Sequence, residues 1–184
     1  MTRFSYPKYQ NQLSFRNKIA RLLWATCYIF LFRPFSLPIF HKWRILILRT
    51  FGAKIGAGSI IHASVKIWAP WNLQVGQRTA IGPEAICYNP GKIILGSKTC
   101  ISQRAHLCTA SHDYTKSNNP LITDSIIIKD YAWVATESFI SMGITIGDGA
   151  VIGARAVVIK DVEPWTVVAG NPAKFIKKRE INSD

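Results

Sequence analysis

Acid is what the first half of this chain lacks: no Asp or Glu occurs before Glu84, although twelve Lys and Arg do. Over all 184 residues, 23 basic side chains face 10 acidic ones, a net charge of +13. A half of one sign cannot neutralise itself and points to an anionic counterpart: a membrane surface, a phosphorylated carrier or nucleic acid. Nucleic acid is disfavoured, because the chain has no zinc-finger, basic-zipper or RNA-binding aromatic motif. Cysteine is scarce as well. Cys27, Cys87, Cys100 and Cys108 contain no Cys-x-x-Cys pair and read as free thiols in a reducing compartment. A membrane-spanning run is missing too. The apolar stretch Leu22 to Phe32 is broken only by Thr26, and at about 1.5 Å per residue it covers only half of a roughly 30 Å hydrocarbon core. It is followed by Arg33-Pro34-Phe35 rather than by small residues, which argues against a signal peptide.

What is present is a period of six. From Ile128 to Glu163 each unit opens with Ile or Val: Ile128, Val134, Ile140, Ile146, Ile152, Val158. The fifth place is Ala, Ser, Ile or Val. Six matches neither an amphipathic helix nor a two-sided strand, and it is the hexapeptide signature of a parallel β-helix. Each unit makes one short strand, three units close a triangular coil, and the opening aliphatic points inward. Small residues are expected where the chain turns and a Cβ would crowd the backbone. Upstream, Ile55, Ile61 and Ile67, then Val75, Ile81 and Cys87, then Leu95, Ile101 and Leu107 continue the pattern. Steps of twenty from Ile55 to Val75 to Leu95 imply two extra residues at a corner of those coils. Between Leu107 and Ile128 the period fails, and insertions in a solenoid become loops on one face, usually the binding face.

These signals divide the chain into an N-terminal basic and apolar segment (1–52), a solenoid (53–170) with an inserted loop at 111–127, and a C-terminal tail (171–184). In the first segment, residues 1 to about 12 read as an extended arm. Residues 13 to 32 read as a helix ended by Pro34, and Leu37 to Thr50 as a second. The helices either cover the open end of the solenoid, or pack between subunits, or lie on anionic lipid with basic residues snorkelling. Ala173 to Ile181 reads as a short basic helix with Pro172 at its first turn.

Four histidines are candidates for chemistry. His41 and His62 read as structural. His106 and His112 are six apart and so hold equivalent places on successive faces, but His112 sits at the break of the repeat, between Ser111 and Asp113. A neutral imidazole beside a cleft can take a proton from a hydroxyl or amine.

The repeat units, Ser111-His112-Asp113, Trp133-Val134-Ala135 and the ending Val168-Ala169-Gly170-Asn171-Pro172-Ala173-Lys174 resemble the hexapeptide-repeat acyltransferases. The closest subgroups are galactoside and maltose O-acetyltransferases and exopolysaccharide acetyltransferases of the colanic-acid type. The last resemblance covers nearly the whole chain, including Phe32-Arg33-Pro34 and Phe51-Gly52-Ala53-Lys54-Ile55-Gly56. It implies a left-handed β-helix, a homotrimer with active sites in subunit clefts, acetyl-CoA as co-substrate, no metal, and a cytoplasmic enzyme. His112 is then the general base for a sugar hydroxyl of an exopolysaccharide or its lipid-linked precursor. The lipid link would place the enzyme against the inner membrane face. Carried over by position, a backbone N–H of Ala135 or Thr136 would hold the donor or the oxyanion. Thr136, Ala154, Ile159 and Lys160 would line the coenzyme groove, with Trp133 flanking the pantetheine arm and Lys174 and Lys177 near the phosphates. Where the galactoside enzymes hold their sugar with acidic and amide side chains, this chain has Pro90 and Gly82. Glu84, Tyr88, Asn89 and Arg104 are the local substitutes, and either Asp113 or a backbone carbonyl orients His112.

Three other readings stay open: an amino-sugar, serine or xenobiotic acceptor for the same chemistry; a zinc hydratase of the γ-carbonic-anhydrase type using His62, His106 and His112; and a trimeric scaffold without catalysis.

Overall fold

The period of six is realised as strands of two or three residues. In the computed structural model, which describes residues 14–181, these strands stack into three sheets around a triangular core. The first sheet carries Lys54–Ile55, Leu73–Val75, Ile93–Leu95, Ile126–Ile128 and Thr145–Ile146, and Val162 extends it by a bridge to Ile146. The second runs from Ile60–Ile61 through Trp133–Val134 to Thr166–Ala169, and the third from Lys66–Ile67 through His106–Cys108 to Val157–Val158. The result is a parallel β-solenoid of about six turns. Every unit-opening residue from Ile55 to Val158, Cys87 included, faces inward and is at most 7% exposed. Ile55 pairs with Val75 and Val75 with Leu95, so the aliphatics form columns whose dry contacts hold the stack.

At the corners the expectation of small residues is met in part. Gly56, Gly76 and Gly96 lie one above another, and a Cβ on Gly76 would come within 2.5 Å of the Gly96 carbonyl carbon. The left-handed turn positions, however, are mostly not glycine: Arg78, Lys98 and Tyr131 on one corner and Glu84, Arg104, Glu137 and Arg155 on another have φ between 52° and 60°. Such a conformation costs on the order of 1 kcal/mol for an L side chain. Backbone bonds between coils hold it in place, Arg78 N–H to Ala57 at 2.9 Å and Lys98 N–H to Gln77 at 2.8 Å among them.

The N-terminal segment caps this stack. Helix α1 (Phe15–Cys27) starts at Ser14, whose hydroxyl accepts from the Asn17 N–H, and continues into a wider turn at Tyr28–Phe32. Trp24 fixes it to the solenoid, its indole N–H donating to Ile67 at 2.7 Å. Helix α2 (His41–Thr50) closes the open end with Ile47 and Leu48. Its buried Arg44 donates to the carbonyls of Ile61, Phe35 and Leu37. Burial pulls the pKa of that guanidinium down, and the three carbonyls keep its charge solvated. The arm expected over the first dozen residues lies outside the described residues. Among the described residues no helix is long and apolar enough to cross a membrane.

The tail departs from expectation. Lys174–Lys178 is a strand, antiparallel to Thr166–Ala169. The last coil leaves the edge of the second sheet unpaired, and the chain satisfies those backbone groups by folding back along them after Gly170 (φ +97°).

Candidate active site

Every irregularity of the solenoid falls on the corner between the third and first sheets. The first coil widens there by a 3-10 turn at Pro70–Asn72, the second by residues 89–92, and the third by a hairpin. The fourth and fifth coils turn tightly. The two extra residues of each early coil and the insertion thus share one edge. The insertion is smaller than 111–127: Ile126–Ile128 is already back in the first sheet, paired with Ile93–Leu95.

The hairpin pairs Ala110–His112 with Leu121–Thr123, His112 opposite Leu121. It carries His112 off the solenoid, so His106 and His112 do not occupy equivalent places on successive faces. The His112 side chain is exposed, and its Nδ1 lies 2.7 Å from the carbonyl oxygen of Asn119. A carbonyl only accepts, so Nδ1 carries the proton of this bond, and in the neutral ring Nε2 is the nitrogen with the lone pair. The orienting group is this carbonyl and not Asp113. The Asp113 carboxylate turns back to the Thr115 N–H and hydroxyl at 3.1 and 2.5 Å and to Lys116 Nζ at 3.1 Å. The Thr115 hydroxyl, followed by Lys116, holds that carboxyl below its ordinary pKa. At the hairpin base, Thr109 receives the N–H of Asp124 and of Gly91.

The other expected residues fall into separate groups. Ile159, Lys160 and Lys174 rim a cavity of ≈ 500 Å³ beneath the last coil, floored by Val158, Val162 and Val168. Phe175 also lines it, a residue missed because its segment read as helix. Thr136 and Ala154 sit on a different corner, between the second and third sheets. The Ala135 N–H is engaged with the Ile152 carbonyl at 2.9 Å, so it is not free to donate to an oxyanion. Trp133 is exposed on the outer face of the second sheet, its indole N–H on the Ser102 hydroxyl. It shares a cross-strand row with Val151, Val167 and Lys177. A bulge at Val167/Val168 puts Lys174 and Lys177 on the same side of the sheet despite their odd spacing.

Of the expected sugar contacts, Asn89 is corrected. It is fully buried, and its amide closes on the backbone of Ala69 at 3.0 and 2.8 Å, latching the widened corner. Glu84 and Arg104 belong to a ladder of alternating charge down one corner: Glu84 to Arg104 at 3.4 Å, Arg104 to Glu137 at 3.1 Å, Glu137 to Arg155 at 2.6 Å. The Glu84 and Arg104 side chains stay largely exposed in these pairs. Tyr88 lies on the outer face of the third sheet, edge-on to Trp68. His62 bonds the Ser64 hydroxyl and His106 packs edge-on to Phe139. Among the described residues no three His, Cys, Asp or Glu side chains gather as metal ligands would.

No family model matches the chain. Over 178 residues it is 39% identical to a protein of Escherichia coli (strain K12) provisionally named colanic acid biosynthesis acetyltransferase WcaF, covering 96% of this chain and 94% of that one. A maltose O-acetyltransferase from Clostridium difficile 630 superposes with a TM-score of 0.78 at 28% identity, over 91% and 90% of the two chains. A hexapeptide-repeat acetyltransferase from Vibrio cholerae O1 biovar eltor, solved with acetyl coenzyme A, superposes with a TM-score of 0.81 at 22% identity, over 95% and 94%.

Proposed function

Because the chain belongs to the hexapeptide-repeat acetyltransferases, we propose that it transfers acetyl from acetyl-CoA to a hydroxyl of a sugar in a surface polysaccharide or its lipid-linked precursor. The observation that carries this reading is the His112–Asn119 bond. It presents Nε2 as an oriented base on an exposed hairpin. Nε2 takes the proton of the acceptor hydroxyl, and the oxygen attacks the thioester carbonyl. The oxyanion of the tetrahedral intermediate accepts from a backbone N–H such as that of Thr136. As the C–S bond breaks, the imidazolium returns its proton to the departing thiolate. One His serves both steps, so no acyl-enzyme is needed.

The cleft in this reading lies between copies of the chain. Within one copy Thr136 and Ala154 stand on one corner and Ile159 and Lys160 on another, separated by a six-residue side that spans roughly 20 Å. A homotrimer brings unlike corners together, with Lys174 and Lys177 as cations for the coenzyme's phosphates. The exposed outer face of α1 supports contact with an anionic membrane surface, where lipid-linked sugars are held.

Free-thiol release from acetyl-CoA over a panel of oligosaccharides and lipid-linked sugars tests the assignment. His112→Ala is expected to lower turnover by about 10²–10⁴, with sedimentation showing the same trimer. Unchanged turnover would remove His112 from the chemistry.

A further inference from the structure

A second cavity lies between α1 and the outer face of the third sheet. It measures ≈ 280 Å³, and its walls include Arg21, Trp24, Tyr28, Lys66, Trp68 and Tyr88. It shares no lining residue with the cavity beneath the last coil. Its construction is specific. Trp24 anchors the helical wall to the Ile67 backbone. The Arg21 guanidinium lies 3.8 Å from the centre of the Trp68 ring. Stacking fixes the plane of that guanidinium and leaves its N–H edges directed sideways. Lys66 supplies a second cation in the same groove. Among the described residues neither cation has a carboxylate within ion-pair distance, the nearest acid in sequence being Glu84. A planar guanidinium held on an indole beside an unpaired ammonium is the arrangement that grips a phosphate. The remaining walls are aromatic and apolar, as in sites where a ring is seated and a few polar groups orient it. The volume lies near the lower end of ligand-pocket sizes, about 300 Å³, room for one ring and its phosphate.

Position ties the groove to the hairpin. Tyr88 pairs with Cys108, and adjacent strands are about 4.8 Å apart. Cys108 ends the strand that runs on through Thr109 into the hairpin bearing His112. A ring seated against Tyr88 therefore lies beside the strand that delivers the base. Leu22 and Leu23, next to Arg21 in sequence, are exposed on α1, apolar surface for a lipid attached to the phosphate.

Resting on the acetyl-transfer reading above, we infer that this groove holds the acceptor as a phosphate-bearing sugar, with the ring against Tyr88 and Trp68 and the phosphate on Arg21 and Lys66. Two sources share this chemistry, a free sugar phosphate and a lipid-linked sugar diphosphate.

The test is direct binding to the full chain by saturation-transfer NMR and calorimetry, using glucose 1-phosphate, farnesyl-diphosphoglucose and uncharged methyl glucoside. Coenzyme A binding and thermal melting serve as controls for the fold. Arg21→Gln with Lys66→Gln is expected to weaken both phosphate probes by at least about tenfold, to leave coenzyme A binding unchanged, and methyl glucoside is expected to bind weakly throughout. Tighter binding of the farnesyl probe assigns the groove to a lipid-linked acceptor, and equal binding assigns it to a free sugar phosphate. Equal binding of methyl glucoside and glucose 1-phosphate, no binding to the wild-type chain, or unchanged binding to the double variant overturns the inference. The readout does not use turnover. Loss of turnover in His112→Ala with an insensitive groove sinks this inference alone, and full turnover in His112→Ala with a sensitive groove sinks the base assignment alone.

Discussion

His106 and His112 stand six residues apart in a chain whose period is six, and the fold gives them opposite circumstances. His112 is lifted off the solenoid with one ring nitrogen engaged and the other left for a proton. His106 stays on the third sheet with its ring edge-on to Phe139 and its Nε2 buried without a partner. Burial pushes the His106 pKa below the ordinary histidine value. The unfolded chain then binds this proton more readily than the folded one, so stability present above about pH 6.5 is lost as the pH falls toward the lowered value. The melting temperature is expected to drop between pH 7.5 and 5.5, and His106→Leu, which removes the unpartnered nitrogen, is expected to flatten that slope. A variant that melts with the wild-type pH dependence would show that His106 is not the group responsible. Asp113 and Glu137, held low by Thr115 and by Arg155, act only in the ordinary carboxylate range and leave this window clear. At this scale the sequence singles out His112 by its place at the break, but not the Asn119 carbonyl, because a bond between residues seven apart in sequence depends on how the hairpin closes.

Among the elements, the corners set the tolerance of the stack. The column of Gly56, Gly76 and Gly96 allows successive coils to approach backbone to backbone. Gly76→Ala is expected to cost about 1–3 kcal/mol as an overpacking substitution, lowering the melting temperature by roughly 2–4 °C per kcal/mol in a chain of this size. Unchanged melting would mean that the corner relaxes freely. Strand positions were legible because each follows from a local repeat. The tail was not: Lys174–Lys178 has no strong period of its own, and the open edge of Thr166–Ala169 decides its conformation. Nor was the role of Asn89, whose side chain pairs with a backbone twenty residues away in sequence and one coil away in space.

For the whole molecule, charge and apolar surface coincide at one end. Phe15, Leu22, Phe30 and Ile39 are exposed on the N-terminal segment, close in sequence to Arg16, Lys18, Arg33 and Lys42. Each basic side chain held near an anionic bilayer contributes about 1 kcal/mol, and apolar side chains set into the interface add to it. The protein is expected to float with vesicles containing phosphatidylglycerol and not with phosphatidylcholine alone, and Leu22→Glu with Phe30→Glu is expected to abolish flotation. Equal flotation of that variant would leave the exposed face without a lipid role. The same segment also covers the solenoid through Trp24, Arg44, Ile47 and Leu48, so capping and a free apolar face coexist on opposite sides of it.

Periodicity alone dictates the columns of inward aliphatics, the three-sided coil and the edge at which it is interrupted. Each of these depends on neighbours six or about twenty residues away, and an aliphatic at every sixth place has only one way to leave water. The tautomer of His112, the pairing of Glu84 with Arg104, the latch at Asn89, the closing strand and the cationic groove under α1 had to wait for the folded chain. Hydrogen bonds and ion pairs are short and directional, and which partners meet is set by how distant coils and caps come to rest on one another.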